Sequence, residues 1–173
     1  MTGIELRHHR ELTDAVRHEL AALYAEVRAP LLHLPNYALP AFGERLQRHG
    51  GEPCFEAVIG YAYGNTVEAA DRWWTRMARP MPHHLTAAPV FALKELGVRT
   101  PWRGTGAARR IHDALLAARP EERAMLMVNP AAGDGKVHAL YRAWDYVDVN
   151  EVRPHQDAPA LVAMLYRKPT PVG

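Results

Sequence analysis

The sequence predicts an α/β fold, and three observations lead there. The stretch Val90–Leu116, VFALKELGVRTPWRGTGAARRIHDALL, reads as an apolar strand, a sharp Pro and Gly turn, and a helix. On either side of it, short runs rich in β-branched and aromatic residues alternate with stretches whose apolar residues recur at helical spacing. Finally, 173 residues with 48% hydrophobic and 23% charged side chains suit a globular chain with a real core. That length is short for two domains, so a single domain over 1–173 is expected.

Each element has a local reason. Gly3–Arg7 alternates Ile4 and Leu6 with polar neighbours, as a first, edge strand would. Thr13 or Asp14 can cap a helix to about Arg28, whose Val16, Leu20, Leu23, Tyr24 and Val27 form one apolar stripe. Pro30 ends it, and the Pro-containing Leu31–Pro40 leads to a second helix, Ala41–Gln47, stopped at Gly50-Gly51. Cys54–Gly64, CFEAVIGYAYG, is the strongest strand signal of the first half. Asn65–Pro89 is long for a connection, and Trp73, Trp74, Met77 and Met81 make it too apolar for a solvated loop. A part-helical flap over about Val67–Met77 would let one Trp pack on the body while the other lines a cleft for the acceptor; core packing would serve either Trp as well.

After the central stretch, the helix Ala107–Ala118 turns Ile111 and Leu115 to the core, and Arg123–Val128 reads as a buried strand. Ala131–Gly135 is a flexible turn, and Lys136–Trp144 is a helix with Val137, Leu140, Tyr141 and Trp144 on one face. Tyr146–Val152 and Ala160–Tyr166 are the last strands, joined by a Pro154–Pro159 loop, and Lys168–Gly173 reads as a frayed tail.

Composition excludes several function classes. The net charge is +2 and the 21 basic residues form no run, which argues against a nucleic-acid partner. No window holds the roughly 20 apolar residues of a membrane span, and MTGIELRHHR lacks the apolar core of a signal peptide. A cytoplasmic protein is expected. Cys54 stands alone, so no disulfide or Cys-based zinc site can form within the chain, and a small buried hydrophobe is its expected role. His8-His9 and His83-His84 are adjacent pairs without i, i+4 spacing, so no metal is expected.

The turn before the third long helix carries the chemistry. A helix start offers backbone N–H groups without intrahelical partners and a partial positive charge, the requirements of a phosphate cradle. Gly104 and Gly106 let the backbone approach closely, and Arg103 adds a charged fork. An ordinary strand-to-helix connection would show the same glycines. A Rossmann fingerprint lacks its third glycine here, and no Gly-Lys-Ser/Thr triplet exists for a Walker loop.

Arg103-x-x-Gly106-x-Ala108, behind Leu96-Gly97-Val98, resembles the acyl-CoA signature of the GNAT N-acetyltransferase superfamily. A second block, His138–Tyr146, is similar to that family's Leu-Tyr helix followed by an apolar residue, Gly and an aromatic; Leu140, Tyr141, Trp144 and Tyr146 fit, while Asp145 replaces the Gly and Asp134 a common Asn. The acidic turn of the family's first hairpin is missing from Cys54–Gly64, so that hairpin is contracted or its second strand very short.

The resemblance implies a mixed, mostly antiparallel sheet splayed at the cofactor-binding strand, with helices on both faces. It implies acetyl-CoA as co-substrate and acetyl transfer to a primary amine by direct attack, without an acyl-enzyme. The cofactor would lie along the backbone of Leu96 and Val98 and on the turn Arg103, Gly104, Thr105, Gly106, Ala107 and Ala108. Asn129 would approach the same arm, or equally serve its own turn. Glu95 is the candidate base, although strand alternation also permits it to face solvent beside Lys94. Tyr141 is the candidate acid for the thiolate; a buried Tyr bonded to a backbone carbonyl is the alternative. Tyr61, Trp73 and Trp74 are expected at the acceptor, a small-molecule amine. A non-catalytic acyl-CoA sensor and a protein N-terminal or lysine acetylase are the rival functions. Dimers are common in that family, so a homodimer is among the expected assemblies.

Overall fold

The computed structural model describes residues 5–48, 54–57, 59–153 and 157–169. The chain divides into two compact units, Met1–Asn65 with Leu93–Arg119, and Thr66–Ala92 with Pro120–Gly173.

In the first unit the strand order is β1 (Leu6–His9), β2 (Cys54–Ala57), β3 (Gly60–Val67), β4 (Val90–Val98), the last two strands running on into the second unit. The edge strand starts later than expected, and Gly3 and Ile4 lie outside the described residues. α1 (Asp14–Val27) begins where Thr13 Oγ1 accepts from Val16 N at 3.3 Å, and Asp14 complements the positive end of the helix dipole. Its predicted stripe Val16, Leu20, Leu23, Tyr24 and Val27 is buried throughout. Pro30 opens a 3₁₀ turn, Ala29–Leu31, and Pro35 another, Pro35–Tyr37. α2 (Leu39–Arg48) starts before the predicted Ala41 because Pro40 sits in the first turn, where its missing N–H removes no helical bond. The stop at Gly50-Gly51 lies outside the described residues.

β2 and β3 form the contracted hairpin, with Ala57 paired to Gly60. The second strand is not short, running eight residues to Val67. Cys54 lies on β2, but its side chain, like the others of 54–57, is outside the described residues. Along β3, Tyr61 and Tyr63 point to the α1–α2 side and join Tyr24 and Phe42 in one buried cluster. Gly60 points the opposite way, toward α4 (Ala107–Ala117), where a Cβ would come within 2.8 Å of Ile111 Cδ1 and 2.6 Å of Gly97 O. Helices thus cover both faces. Gly97 is equally constrained, since its Cβ would meet the Tyr61 ring at 2.8 Å.

In the second unit the order is β4, β5 (Arg123–Val128), β7 (Leu161–Arg167), β6 (Val147–Val152). β4 pairs with β5 in parallel through Phe91↔Ala124 and Ala92↔Met125 alone, while β5–β7 and β6–β7 are antiparallel like the β1–β2 and β2–β3 ladders. The sheet is therefore mixed and mostly antiparallel. The flap is less helical than predicted. Val67 still belongs to β3, and the Asp71 carboxylate accepts from Trp73 N at 2.7 Å to start only a 3₁₀ turn, Arg72–Arg76. Met77 then bridges to Val152, and Ala78 N donates to Glu151 O at 2.7 Å, which fixes the segment to β6. A short α3 (His83–Thr86) precedes β4.

α5 (Lys136–Ala143) buries a narrower stripe than predicted. Trp144 at its end is buried and Val137 and Tyr141 are half-buried, but Leu140 is 42% exposed, because at 3.6 residues per turn it falls on the edge of that line. Asp145 takes a left-handed φ of 67°, so β6 begins at Val147 rather than Tyr146. Residues 154–156 of the last loop and 170–173 of the tail lie outside the described residues. No helix of the described residues is long and apolar enough to cross a membrane.

Candidate active site

At the end of β4 the chain makes a 3₁₀ turn, Thr100–Trp102, then Arg103 in extended conformation, Gly104 at φ 75°, Thr105, and Gly106 at φ 82° as N-cap of α4. Two left-handed glycines flank Thr105, a backbone that glycine adopts without the strain a side chain would add. No side chain caps the helix, and its first bond is Arg110 N to Gly106 O at 3.1 Å, so the amides of Ala107 and Ala108 have no acceptor one turn back. A Cβ at Gly104 or Gly106 would have nothing within 4 Å, so the turn is open beside both glycines. Thr105 Oγ1 donates to Trp102 O at 2.7 Å and holds the turn closed.

Arg103 does something the motif did not announce. Its Nε donates to Val98 O and its Nη2 to Val27 O, each at 3.3 Å, so the guanidinium fastens β4 to the end of α1. Leu96 is half-buried and Val98 buried on the part of β4 beyond Ala92, where the ladder with β5 has ended. In the second unit, Asn129 Oδ1 accepts from Ala131 N at 3.0 Å, which makes it a turn former with its amide nitrogen still to offer.

Glu95 lies on β4 and points to the α1–α2 side. Its Oε1 accepts from Tyr61 Oη at 3.2 Å and Arg28 Nη2 at 3.4 Å; its Oε2 accepts from Tyr63 Oη at 3.1 Å and faces Arg45 Nη2 at 3.6 Å. Three hydrogen-bond donors and one further cation, Arg45, surround the carboxylate, so most of its acceptor capacity is taken. Burial, and next the Glu95 charge, push the Tyr61 and Tyr63 hydroxyls far above the usual phenol range, so both remain donors. For Arg28, burial opposes the charge, but the Tyr61 hydroxyl and Glu95 outweigh it and raise its pKa. Tyr61 is fully buried, so its expected place at the acceptor becomes a place beneath Glu95.

Arg28, Arg45, Tyr24 and Tyr63 are not among the site residues expected from the sequence, where Tyr24 figures only in the α1 stripe. Tyr63, two residues after Tyr61 on a strand, shares its face, and that spacing was a usable signal. Nothing local marks Arg28 or Arg45, which come from other elements.

Tyr141 belongs to the second unit, on α5, packed edge-on against Trp144 at 5.5 Å and Tyr146 at 5.6 Å between ring centroids. Trp73 and Trp74 are also there. Trp73 is a core residue among Val67, Val90, Met125 and Val152, whereas Trp74 is half-buried with Nε1 donating to Glu68 O at 2.8 Å. Among the described residues no cluster of three or more His, Cys, Asp or Glu could hold a metal ion.

The sheet and helix arrangement, with a glycine turn opening α4 directly after β4, is the fold of the GNAT acetyltransferases. A GNAT-family acetyltransferase from Streptococcus agalactiae superposes with a TM-score of 0.70 at 9% identity, over 97% of this chain and 100% of that one. Histone acetyltransferase HPA2 and related acetyltransferase from Corynebacterium glutamicum gives 0.63 at 16% identity, over 98% and 100%. Arabidopsis thaliana NAA60, solved in complex with acetyl-CoA, gives 0.63 at 13%, over 94% and 99%. Neither a protein-family model nor a curated protein matches the sequence, so the likeness is one of fold.

Proposed function

We propose that the chain is an N-acetyltransferase that moves an acetyl group from acetyl-CoA to the primary amine of a small-molecule acceptor by direct attack. The observation that carries this is the open glycine turn at the start of α4: amides without helical acceptors, left-handed Gly104 and Gly106, and free space where a Cβ would stand. A diphosphate fits that donor set, which is backbone N–H at the positive end of a helix dipole. Ala107, Ala108, Gly106 and Thr105 would hold it, and Leu96 and Val98 would present backbone to the pantetheine arm. Arg103 would act chiefly by fixing the turn against β4 and α1.

When bound, acetyl-CoA supplies an acyl group already activated as a thioester. The chain's residues then have three tasks: to align a neutral amine, to accept the proton it sheds, and to return one to the thiolate. Glu95 is the proposed acceptor of that proton once one of its donors has moved away. Tyr141 is the proposed donor to the thiolate, a phenol of ordinary pKa about 10 lying close enough to a thiol's, about 8.5, to pass its proton and recover one from water.

Free thiol measured with acetyl-CoA and a library of primary amines tests the reading. Release that depends on the amine is expected. A chain that binds CoA yet frees no thiol with any amine is a binding module, and the proposal falls. Acetylation of protein or peptide amines alone would move the function to the protein acetylases, a reading that the likeness to a histone acetyltransferase keeps in view.

A further inference from the structure

Two guanidiniums share one carboxylate in the first unit, and the sharing is incomplete. Arg28 and Arg45 approach Glu95 at 3.4 and 3.6 Å, against roughly 2.7–2.9 Å for a fully engaged charge-assisted bond. The Glu95 side chain is 9% exposed and the arginines 28% and 29%, so the two cations are more open to solvent than the anion they share. One negative charge set against two positive ones leaves the group at +1. Arg45 is otherwise occupied, with Nη1 donating to Asn36 O at 2.9 Å and Nη2 to Tyr24 Oη at 3.1 Å. Arg28 has capacity left: its Nε is shielded from water and meets no hydrogen-bond partner among the described residues.

Arg28 is also well placed. The carbonyl of Val27, the preceding residue, is held by Arg103 of the glycine turn, while Arg28 itself reaches Glu95, the neighbour of Leu96 on β4. Tyr37 lies within cation–π reach of its guanidinium, with Cζ 5.8 Å from the ring centroid.

We propose that Arg28, with Arg45 beside it, receives a carboxylate carried by the acceptor itself, so that the substrate is a small amine that also bears a carboxylate, such as a free amino acid. This rests on the transferase reading above. A guanidinium fork matches a carboxylate bidentately, and two partly exposed cations repel an acceptor that brings only positive charge. With Arg28 turned to the acceptor, Glu95 Oε1 keeps Tyr61 alone. A lone pair then opens for the proton that the amine sheds as its nitrogen bonds to the acetyl carbon and the carbon–sulfur bond breaks; that proton passes on to water.

The test measures thiol release by the full chain with acetyl-CoA and a panel of free amino acids, each beside its amide and its decarboxylated amine, with spermidine and a C-terminally amidated peptide as further arms. At least one amino acid should exceed its amide and its amine by about tenfold or more in kcat/KM, chiefly through KM. Arg28→Met should remove that margin and Arg28→Lys restore part of it. Amides, decarboxylated amines, spermidine or the peptide served equally well or better would overturn the inference and leave the transferase reading intact. Thiol release from no acceptor would refute both. Should Arg28→Met fail to fold, the comparison among acceptors with the unaltered chain decides alone.

Discussion

Replacing Gly106 with Ala separates what the glycine does for the fold from what it does for a ligand. Its φ of 82° is left-handed, where a side chain costs about 1–2 kcal/mol, but a Cβ there meets nothing within 4 Å, so no clash adds to the strain. For a chain of this length each kcal/mol lowers the melting temperature by about 2–4 °C. Gly133→Ala is the matched control, with φ 58° and its nearest neighbour Val137 Cγ2 at an ordinary 3.5 Å. Both variants should melt a few degrees early. Their affinities for CoA should part sharply, because the new methyl at 106 stands where a phosphate would meet the amides. Losing two charge-assisted hydrogen bonds of about 1.5–3 kcal/mol each weakens binding about 100-fold or more. Calorimetric titration of CoA into each variant reads this directly. If Gly106→Ala binds CoA no worse than Gly133→Ala, the glycine turn is an ordinary connection and the assignment of a phosphate to it is wrong.

Three further expectations concern other sites. Tyr141→Phe should lower turnover by about 100-fold with CoA affinity nearly unchanged; equal kcat in single-turnover assays would remove the acid role from Tyr141. Asp145→Gly should raise stability by about 0.5–1 kcal/mol by relieving a left-handed aspartate, and a lower melting temperature would show that its side chain matters more than its backbone. His112 is fully buried, and burial depresses its pKa below 6.5 despite the opposing Asp113. Below pH 6.5 the unfolded chain therefore binds the proton first, and stability falls as pH drops from there toward the folded value. His112→Gln should flatten that slope between pH 7 and 5 in melts followed by circular dichroism, and an unchanged slope would assign it to other groups.

Much of this fold could be read from the chain because its signals are local. The α1 stripe, the β5 run and the central β4 each carry their own periodicity and their own stops, and their observed bounds lie within a residue or so of those predicted. The glycine turn was legible for the same reason: left-handed backbone and close approach demand glycine at fixed offsets. Where the reading missed, tertiary contacts decided. The flap follows Met77 onto Val152 and Asp71 onto Trp73 N instead of completing a helix. Glu95 looked like a lone strand carboxylate, and what surrounds it comes from α1, α2 and β3, so no window of sequence holds Glu95 together with its four partners.

Arg103 links the glycine turn to the N-terminal helix. Because its side chain donates to the last carbonyl of α1, whatever loosens that helix also removes one of the two bonds that hold Arg103 in place. Removing α1 would then weaken the proposed coenzyme site, although no residue of α1 is among those proposed to hold the diphosphate. Conversely, a captured coenzyme would slow the release of that segment, and protease cutting around residues 31–38 would become the gauge of occupancy.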